Sequence, residues 1–299
     1  MRLAVTGKSG QVVSSLVERA PEDVEVVPVG RPEFDLATAS LEGGLQLFRS
    51  IAPDVIVSAA AYTAVDKAES EPEVAGAINT AGAGTVAEIA AALGVPVIHL
   101  STDYVFDGRK TEPYTEEDPV APLGVYGRTK LAGERAVADA TENHVILRTA
   151  WVYSRYGNNF LKTMLRVGAE REEMRVVEDQ RGNPTSALDI ADAIFTVAAG
   201  LIRRAHDPSL RGIFHLTGAG EGSWADFASE IFSIAQDLGG PSAKVTRITS
   251  AEYPTQAERP ANSRLSSEKI VRVYGVEMPA WQQSTRSVLE RLLTSSRSA

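Results

Sequence analysis

Short continuous runs of Val, Ile, Leu and Ala, rather than alternating apolar and polar positions, mark the first half of the chain. They fall at residues 3–6, 24–29, 54–58, 95–101 and 144–148. A strand with one buried face alternates, whereas a strand covered on both faces is apolar throughout. Between these runs lie 11–19, 39–50, 72–93 and 124–138, which have helical composition and spacing. Strand and helix alternating in this order predict an α/β fold, a doubly wound Rossmann-type parallel sheet with right-handed crossovers. After residue 150 the rhythm changes. Strand-like runs at 174–178 and 212–217 bracket a helix at 188–203, followed by a helix at 224–238, a turn-rich stretch at 252–264 and an amphipathic helix at 280–293. This predicts a sheet domain over 1–150 and a smaller C-terminal lobe over most of 151–299, with part of 170–217 able to rejoin the sheet. Residues 294–299 are small and polar and are expected to fray.

Composition narrows the partners. Apolar residues make up 43% and charged residues 23% of the chain, as in an ordinary globular protein. A net charge of -9 and a pI near 5.1 argue against broad binding of nucleic acid or anionic membrane. With no cysteine there is no disulfide and no thiolate metal site, which suits a reducing, cytoplasmic setting. The first residues show no apolar h-region, so a signal peptide is not expected, and no apolar run approaches the roughly 20 residues of a membrane span. The four histidines are dispersed without metal-ligand spacing, so no metal is expected. His99 and His144 lie in apolar runs and are expected to be packed strand residues.

The first run leads through Gly7-Lys8-Ser9-Gly10-Gln11-Val12-Val13 into a helix. Glycines there allow a sharp turn and close approach to a pyrophosphate, whose charge meets the helix N-terminus. Arg2 stands where a P-loop needs glycine, which rejects that motif. Val13 stands at the third glycine of the dinucleotide pattern, a departure expected to change helix–strand packing more than phosphate contact. Gly7, Ser9, Gly10, Gln11 and Val12 are therefore candidate cofactor contacts, and 1–150 becomes a candidate dinucleotide-binding domain. The second strand ends at Gly30-Arg31, with no acidic residue for a ribose 2′-hydroxyl. Arg31 instead suits a 2′-phosphate, which favours NADPH, with NADH as the alternative. Asp35, next to Leu36, fits either an adenine amino group or a turn cap. Ala59, Ala60 and Ala61, followed by Tyr62, end the third strand with small side chains that suit either a passing cofactor or plain helix–sheet packing.

Tyr126 and Lys130 lie four residues apart at the start of a helical segment, and so share a face. A lysine beside a tyrosine favours the phenolate, so the phenol is expected to titrate below about 10 and to serve as a proton donor and acceptor. Thr102 ends a buried strand, where open α/β sheets place ligand contacts. Its competing role is to bond its own backbone.

Seven ordered blocks carry a resemblance. They are Thr6-Gly7-Lys8-Ser9-Gly10-Gln11-Val12, the run from Ser58 to Glu69, Ser101-Thr102-Asp103-Tyr104-Val105-Phe106-Asp107-Gly108, Tyr126-Gly127-Arg128-Thr129-Lys130, Arg148-Thr149-Ala150-Trp151-Val152-Tyr153, Asp179-Gln180-Arg181-Gly182-Asn183-Pro184-Thr185 and Arg259-Pro260-Ala261-Asn262-Ser263-Arg264-Leu265. Across nearly the whole chain this resembles the dTDP-4-dehydrorhamnose reductase family of the extended short-chain dehydrogenase/reductases. The resemblance implies NAD(P)H-dependent reduction of the 4-keto group of dTDP-4-dehydro-L-rhamnose to dTDP-L-rhamnose. It further implies that Thr102 and Tyr126 hydrogen-bond the C4 oxygen, that Tyr126 donates the proton, and that Lys130 holds the nicotinamide ribose. Asp103, Tyr104, Trp151, Asn159 and Phe160 become candidate sugar contacts, and Arg259 and Arg264 candidates for the substrate pyrophosphate.

Some family members are Mg²⁺-bridged dimers held by glutamates. The positions that match them here are Ser15, Leu188 and Arg291, so a metal-bridged dimer is not expected, and monomer and homodimer both stay open. Two other readings compete: a nucleotide-sugar 4-epimerase that keeps its cofactor, and a non-catalytic NADP-binding regulatory subunit.

Overall fold

The computed structural model describes residues 1–295. In it β1 (Arg2–Thr6), β2 (Glu25–Val29), β3 (Val55–Ser58), β4 (Val97–Thr102) and β5 (His144–Thr149) join the strand Gly212–His215 in a six-stranded sheet. All neighbours pair in parallel. From edge to edge the order is Gly212–His215, β5, β4, β3, β1, β2. The chain thus leaves β1 toward one edge and β3 toward the other. The crevice at that reversal, outside the carboxyl ends of the strands, is where such sheets bind ligands.

β3 and β4 are buried at every residue, which is why Val55-Ile56-Val57 and Val97-Ile98 run apolar without alternation, while Ser58, His99, Ser101 and Thr102 are buried polar residues toward their carboxyl ends. Leu3, Val5, Val57, Ile98, Leu100 and Leu147 face one layer, packed with α1 (Gln11–Arg19) and the helix Ala187–Arg203. Ala4, Ile56, Val97 and Ile146 face the other, with α2 (Leu41–Ile51) and the helix Ala83–Leu93. Each fully buried aliphatic side chain contributes about 1.5–3 kcal/mol, against about 0–1 kcal/mol for a surface ion pair. The sheet core therefore sets the fold. The stretch expected as one helix over 72–93 is Pro72–Gly76, a π-helical turn at Ala77–Gly82, then Ala83–Leu93. The turn carries Asn79, whose amide bridges the Tyr62 backbone and the Thr129 hydroxyl.

Beyond β5, the helices Phe160–Gly168, Trp224–Asp237 and Trp281–Ser295 enclose a second core around Leu161, Met164, Phe227, Ile231 and Leu289. Glu173–Val177 pairs in parallel with Lys244–Ile248 against this lobe. The strand expected at 212–217 is the sheet's edge strand, and Ala187–Arg203 packs on α1, so the chain returns to the sheet before ending in the lobe. Phe160–Gly168, Lys244–Ile248 and Glu268–Tyr274 were not expected from the apolar pattern. Thr294 and Ser295 are the last helical residues described, and the rest of the tail expected to fray, 296–299, lies outside the described residues. Among the described residues, no helix is long and apolar enough to cross a membrane. No group of three or more potential ligand side chains among them is arranged to hold a metal ion.

Candidate active site

A cleft of about 730 Å³ opens at the crevice beyond β1 and β3. Gly7, Ser9, Gly10, Gln11 and Val12 line its first side, and Gly30, Arg31, Asp35 and Leu36 its far end. Ala59, Ala60 and Ala61 form part of the wall, together with Tyr126 and Lys130. Gly7 adopts φ 102°, a conformation that side chains disfavour, and its amide donates to Val29 O at 2.6 Å. A Cβ there would lie 3.2 Å from Val13 Cγ2 and 3.4 Å from Ala60 Cβ. Val13, in place of the third glycine, thus packs against the turn and is itself buried. No side-chain bond caps α1 after Gly10, so first-turn N–H groups remain for an anion. These glycines and small side chains fit a dinucleotide pyrophosphate. Thr6, which the motif reading passed over, accepts from Ala59 N at 3.0 Å and Ala60 N at 3.1 Å, tying the two sides of the crevice together.

Some expected contacts sit elsewhere. Tyr62 does not line the cleft; its amide donates to Asn79 Oδ1 (2.8 Å) and its phenol to Glu71 Oε2 (2.7 Å), and Thr63 takes the lining position. Asp35 lines the cleft and also caps a turn, accepting from Ala37 N at 3.0 Å. Arg31 is exposed at the cleft.

Tyr126 and Lys130 occupy successive turns of the helix Val125–Ala140 and both border the cleft. Lys130 is only 2% exposed. Its Nζ donates to Leu100 O at 2.6 Å and lies 3.4 Å from His99 Nε2. Burial draws the lysine pKa down to about 8, against the opposing pull of Glu134 one turn further on. Tyr126 is pushed up to about 12, chiefly by burial, with the Thr102 hydroxyl lowering it and Asp103 raising it. This corrects the expectation of a phenol made more acidic by its lysine. The ammonium is turned toward a strand carbonyl, and desolvation prevails. At neutral pH Tyr126 is therefore a protonated donor.

Thr102 takes the competing role, bonding the local backbone. Its hydroxyl donates to Asp103 Oδ1 (2.9 Å) and accepts from Tyr104 N (3.2 Å), yet it also acts on the Tyr126 phenol. Asp103 is buried, which pushes its carboxyl up to about 6. Tyr104 meets Tyr126 edge to face, with ring centroids 5.7 Å apart. Thr102, Asp103, Tyr104 and Tyr126 thus form one cluster.

The lobe residues divide. Trp151, at φ 47°, stacks on Trp224 with centroids 3.6 Å apart, and Phe160 packs on the same Trp224 at 4.7 Å; neither lines the cleft. Asn159 caps the helix Phe160–Gly168, accepting from Lys162 N at 3.1 Å and donating to Gln11 Oε1 at 2.9 Å. Its neighbours Gly157 and Asn158 line the cleft instead. An Asn directly before an amphipathic run is an N-cap signal, and that signal was available in the sequence. Arg264 is committed internally to Glu221 (2.6 Å), Asn262 Oδ1 (2.8 Å) and the Thr111 carbonyl. Arg259 pairs with Asp66 at 2.8 Å and lies near Tyr104, whose phenol is pushed up by burial and Asp103 against the opposing pull of the arginine. Glu69 closes the block that runs from Ser58, and its role is set by the structure. Its Oε1 accepts from Val125 N at 2.7 Å, and a Cβ on Gly124 would lie 2.7 Å from that oxygen. It caps the Tyr126 helix from 56 residues away.

A dinucleotide cleft bordered by a protonated phenol, with a buried lysine one helical turn behind it, defines an oxidoreductase of the short-chain dehydrogenase/reductase class. A family model described as the RmlD substrate binding domain matches residues 1–294. The chain belongs to the dTDP-4-dehydrorhamnose reductase family. The dTDP-4-dehydrorhamnose reductase of Sinorhizobium fredii is 55% identical over 299 residues, covering 100% of both chains. That of Escherichia coli K12 is 44% identical, covering 98% of this chain and 99% of its own. The solved Bacillus anthracis dTDP-4-dehydrorhamnose reductase in complex with NADP superposes with a TM-score of 0.88 at 35% identity, covering 97% of this chain and 99% of that one. The Thermus thermophilus UDP-glucose 4-epimerase, with a TM-score of 0.79 at 19% identity, shares the fold.

Proposed function

We infer that the protein reduces the 4-keto group of dTDP-4-dehydro-L-rhamnose to dTDP-L-rhamnose, with NADPH as reductant. The observation that carries this is the phenol held protonated beside the dinucleotide cleft, in a chain 55% identical to a reductase of that name. When bound, the nicotinamide supplies the hydride that C4 accepts. Tyr126 gives its proton to the C4 oxygen, and the electron pair of its O–H bond stays on the phenolate. The Thr102 hydroxyl, whose single proton rests on Asp103 Oδ1 here, turns it to the same oxygen when the sugar binds and steadies the charge that develops there. Lys130 offers its remaining N–H to the nicotinamide ribose, its charge lies one helical turn from the phenolate left behind, and solvent reprotonates Tyr126. The backbone around Gly7 and Gly10 and the N-terminus of α1 meet the pyrophosphate, and Arg31 meets the 2′-phosphate.

Asp103, Tyr104 and Trp151 remain the candidate sugar contacts. Of the two arginines considered for the substrate pyrophosphate, Arg259 is favoured, because Arg264 already holds three internal acceptors. Asn159 and Phe160 act in this reading by supporting Gln11 and Trp224. The monomer or homodimer forms without a bridging metal: Ser15 and Leu188 are buried, and Arg291 bonds Glu18. A cytoplasmic setting suits an NADPH-dependent sugar-nucleotide enzyme.

Arg31→Ala is expected to raise KM for NADPH about 10–100-fold, the range of a lost charge-assisted hydrogen bond, and to leave KM for NADH unchanged. Equal losses with both cofactors would remove Arg31 from the 2′-phosphate site. The pH profile supplies a second check. Lys130 carries charge below about 8, so kcat/KM for NADPH is expected to fall as pH rises through that value. Lys130→Met should lower kcat/KM and abolish that limb. Persistence of the limb in this variant would assign it to another group.

A further inference from the structure

Beneath the cleft, Ser58 of β3 and His99 of β4 stand side by side in register, behind Lys130. All three are buried, at 1%, 1% and 2% exposure. His99 Nδ1 lies 3.0 Å from Ser58 Oγ, and His99 Nε2 lies 3.4 Å from Lys130 Nζ. A residue expected only to fill a strand is therefore in line with a group the reaction uses.

The chemistry of the donors fixes the arrangement. An ammonium has three donors and no acceptor, so the imidazole nitrogen that faces it must carry a lone pair. In a neutral ring the proton then resides on Nδ1, which donates to Ser58 Oγ. The ring stays neutral because burial first, then the charge of Lys130 and the nearby His144, all oppose its protonation. The other ionisable groups on this side are Glu134, which faces Lys130, and Arg148, which Glu134 holds. Lys130 spends one donor on Leu100 O and one on His99 Nε2, leaving its third for the cleft it borders.

We propose that His99 is a positioning residue, locked by Ser58 in its Nδ1–H tautomer, which holds the Lys130 ammonium from below and aims its remaining N–H at the bound cofactor. The inference rests on the role given to Lys130 above. A lysine bonded to the carbonyl alone would be free to rotate about it. A second acceptor set by the sheet register removes that freedom.

Nitrogen-15 histidine NMR of the full chain tests the tautomer directly, with the His99 signals assigned by their loss in His99→Leu. The expected result at pH 7 is a protonated Nδ1 and an unprotonated Nε2 whose resonance moves in Lys130→Met. Kinetically, His99→Leu is expected to lower kcat/KM for NADPH about tenfold. Loss of an acceptor for the charged lysine should also shift the alkaline limb down by about one pH unit. Neither effect should add to Lys130→Met, because the two act as a unit. Should His99→Leu fail to fold, Ser58→Ala is expected to populate both tautomers and shift the limb in the same direction. A protonated Nε2 in the wild type, or an unmoved limb in the variants, would overturn the proposal. Wild-type turnover by Lys130→Met would instead remove the role of Lys130 itself, and with it this inference.

Discussion

Tyr126→Phe is expected to lower kcat by about 10²–10⁴-fold, the range of a lost general acid, while NADPH affinity stays near the wild-type value. The substitution removes only the hydroxyl, so the ring can keep its edge-to-face contact with Tyr104 and its place in the cleft wall. The size of the effect follows from the reaction. A sugar alkoxide is far more basic than a phenolate, and a phenol whose pKa is raised to about 12 is protonated at every pH where the enzyme works. Steady-state kinetics with a fluorescence titration of NADPH separates chemistry from binding. Wild-type turnover would exclude the phenol as the proton source. A loss confined to NADPH affinity would make it a cofactor contact alone.

Arg148→Met is expected to destabilise the fold by about 3–5 kcal/mol, because it leaves a buried carboxylate without its partner. Arg148 and Glu134 are 2% and 3% exposed and meet through two bonds, Nε to Oε1 at 2.9 Å and Nη2 to Oε2 at 2.7 Å. Ser101 adds a third bond to Glu134 at 2.5 Å. The pair ties β4 and β5 to the helix that carries Tyr126 and Lys130, one turn from the lysine. Replacing both residues, as Arg148→Met with Glu134→Leu, should restore much of the loss, since two apolar side chains leave no charge to desolvate. Urea unfolding of the single and double variants checks this. A loss below about 1 kcal/mol in Arg148→Met would mean that the pair behaves like a surface ion pair.

The sheet was legible because burial on both faces leaves its mark strand by strand: 3–6, 54–58 and 95–101 could only be buried parallel strands in an alternating chain. The cofactor cleft was legible for a related reason. Gly7 must adopt positive φ, and a close phosphate path needs small residues such as Ala59, Ala60 and Ala61, so backbone geometry is written into residue type. What stayed hidden depends on contacts between segments distant in sequence. The direction of the Lys130 ammonium is set by Leu100 O and His99, which no i, i+4 spacing reveals, so the sign of the Tyr126 shift was misjudged. The same holds for Arg264 and Asn159. Each has the right chemistry for a ligand, but Glu221, Asn262 and Gln11 had already engaged them. Phe160–Gly168 has a local signal in its Asn159 cap, but an asparagine suits a ligand contact as well as a helix start, and residue type alone does not separate the two.

The most direct test of Tyr126-assisted reduction at C4 follows the hydride itself. Purified protein is supplied with dTDP-4-dehydro-L-rhamnose and NADPH deuterated at the transferable position of the nicotinamide, and the product is examined by NMR. The expected product is dTDP-L-rhamnose with one deuterium at C4, formed with one NADPH consumed per sugar and all but lost in Tyr126→Phe. Conversion of the sugar without net NADPH consumption, or deuterium at any other carbon, would contradict it.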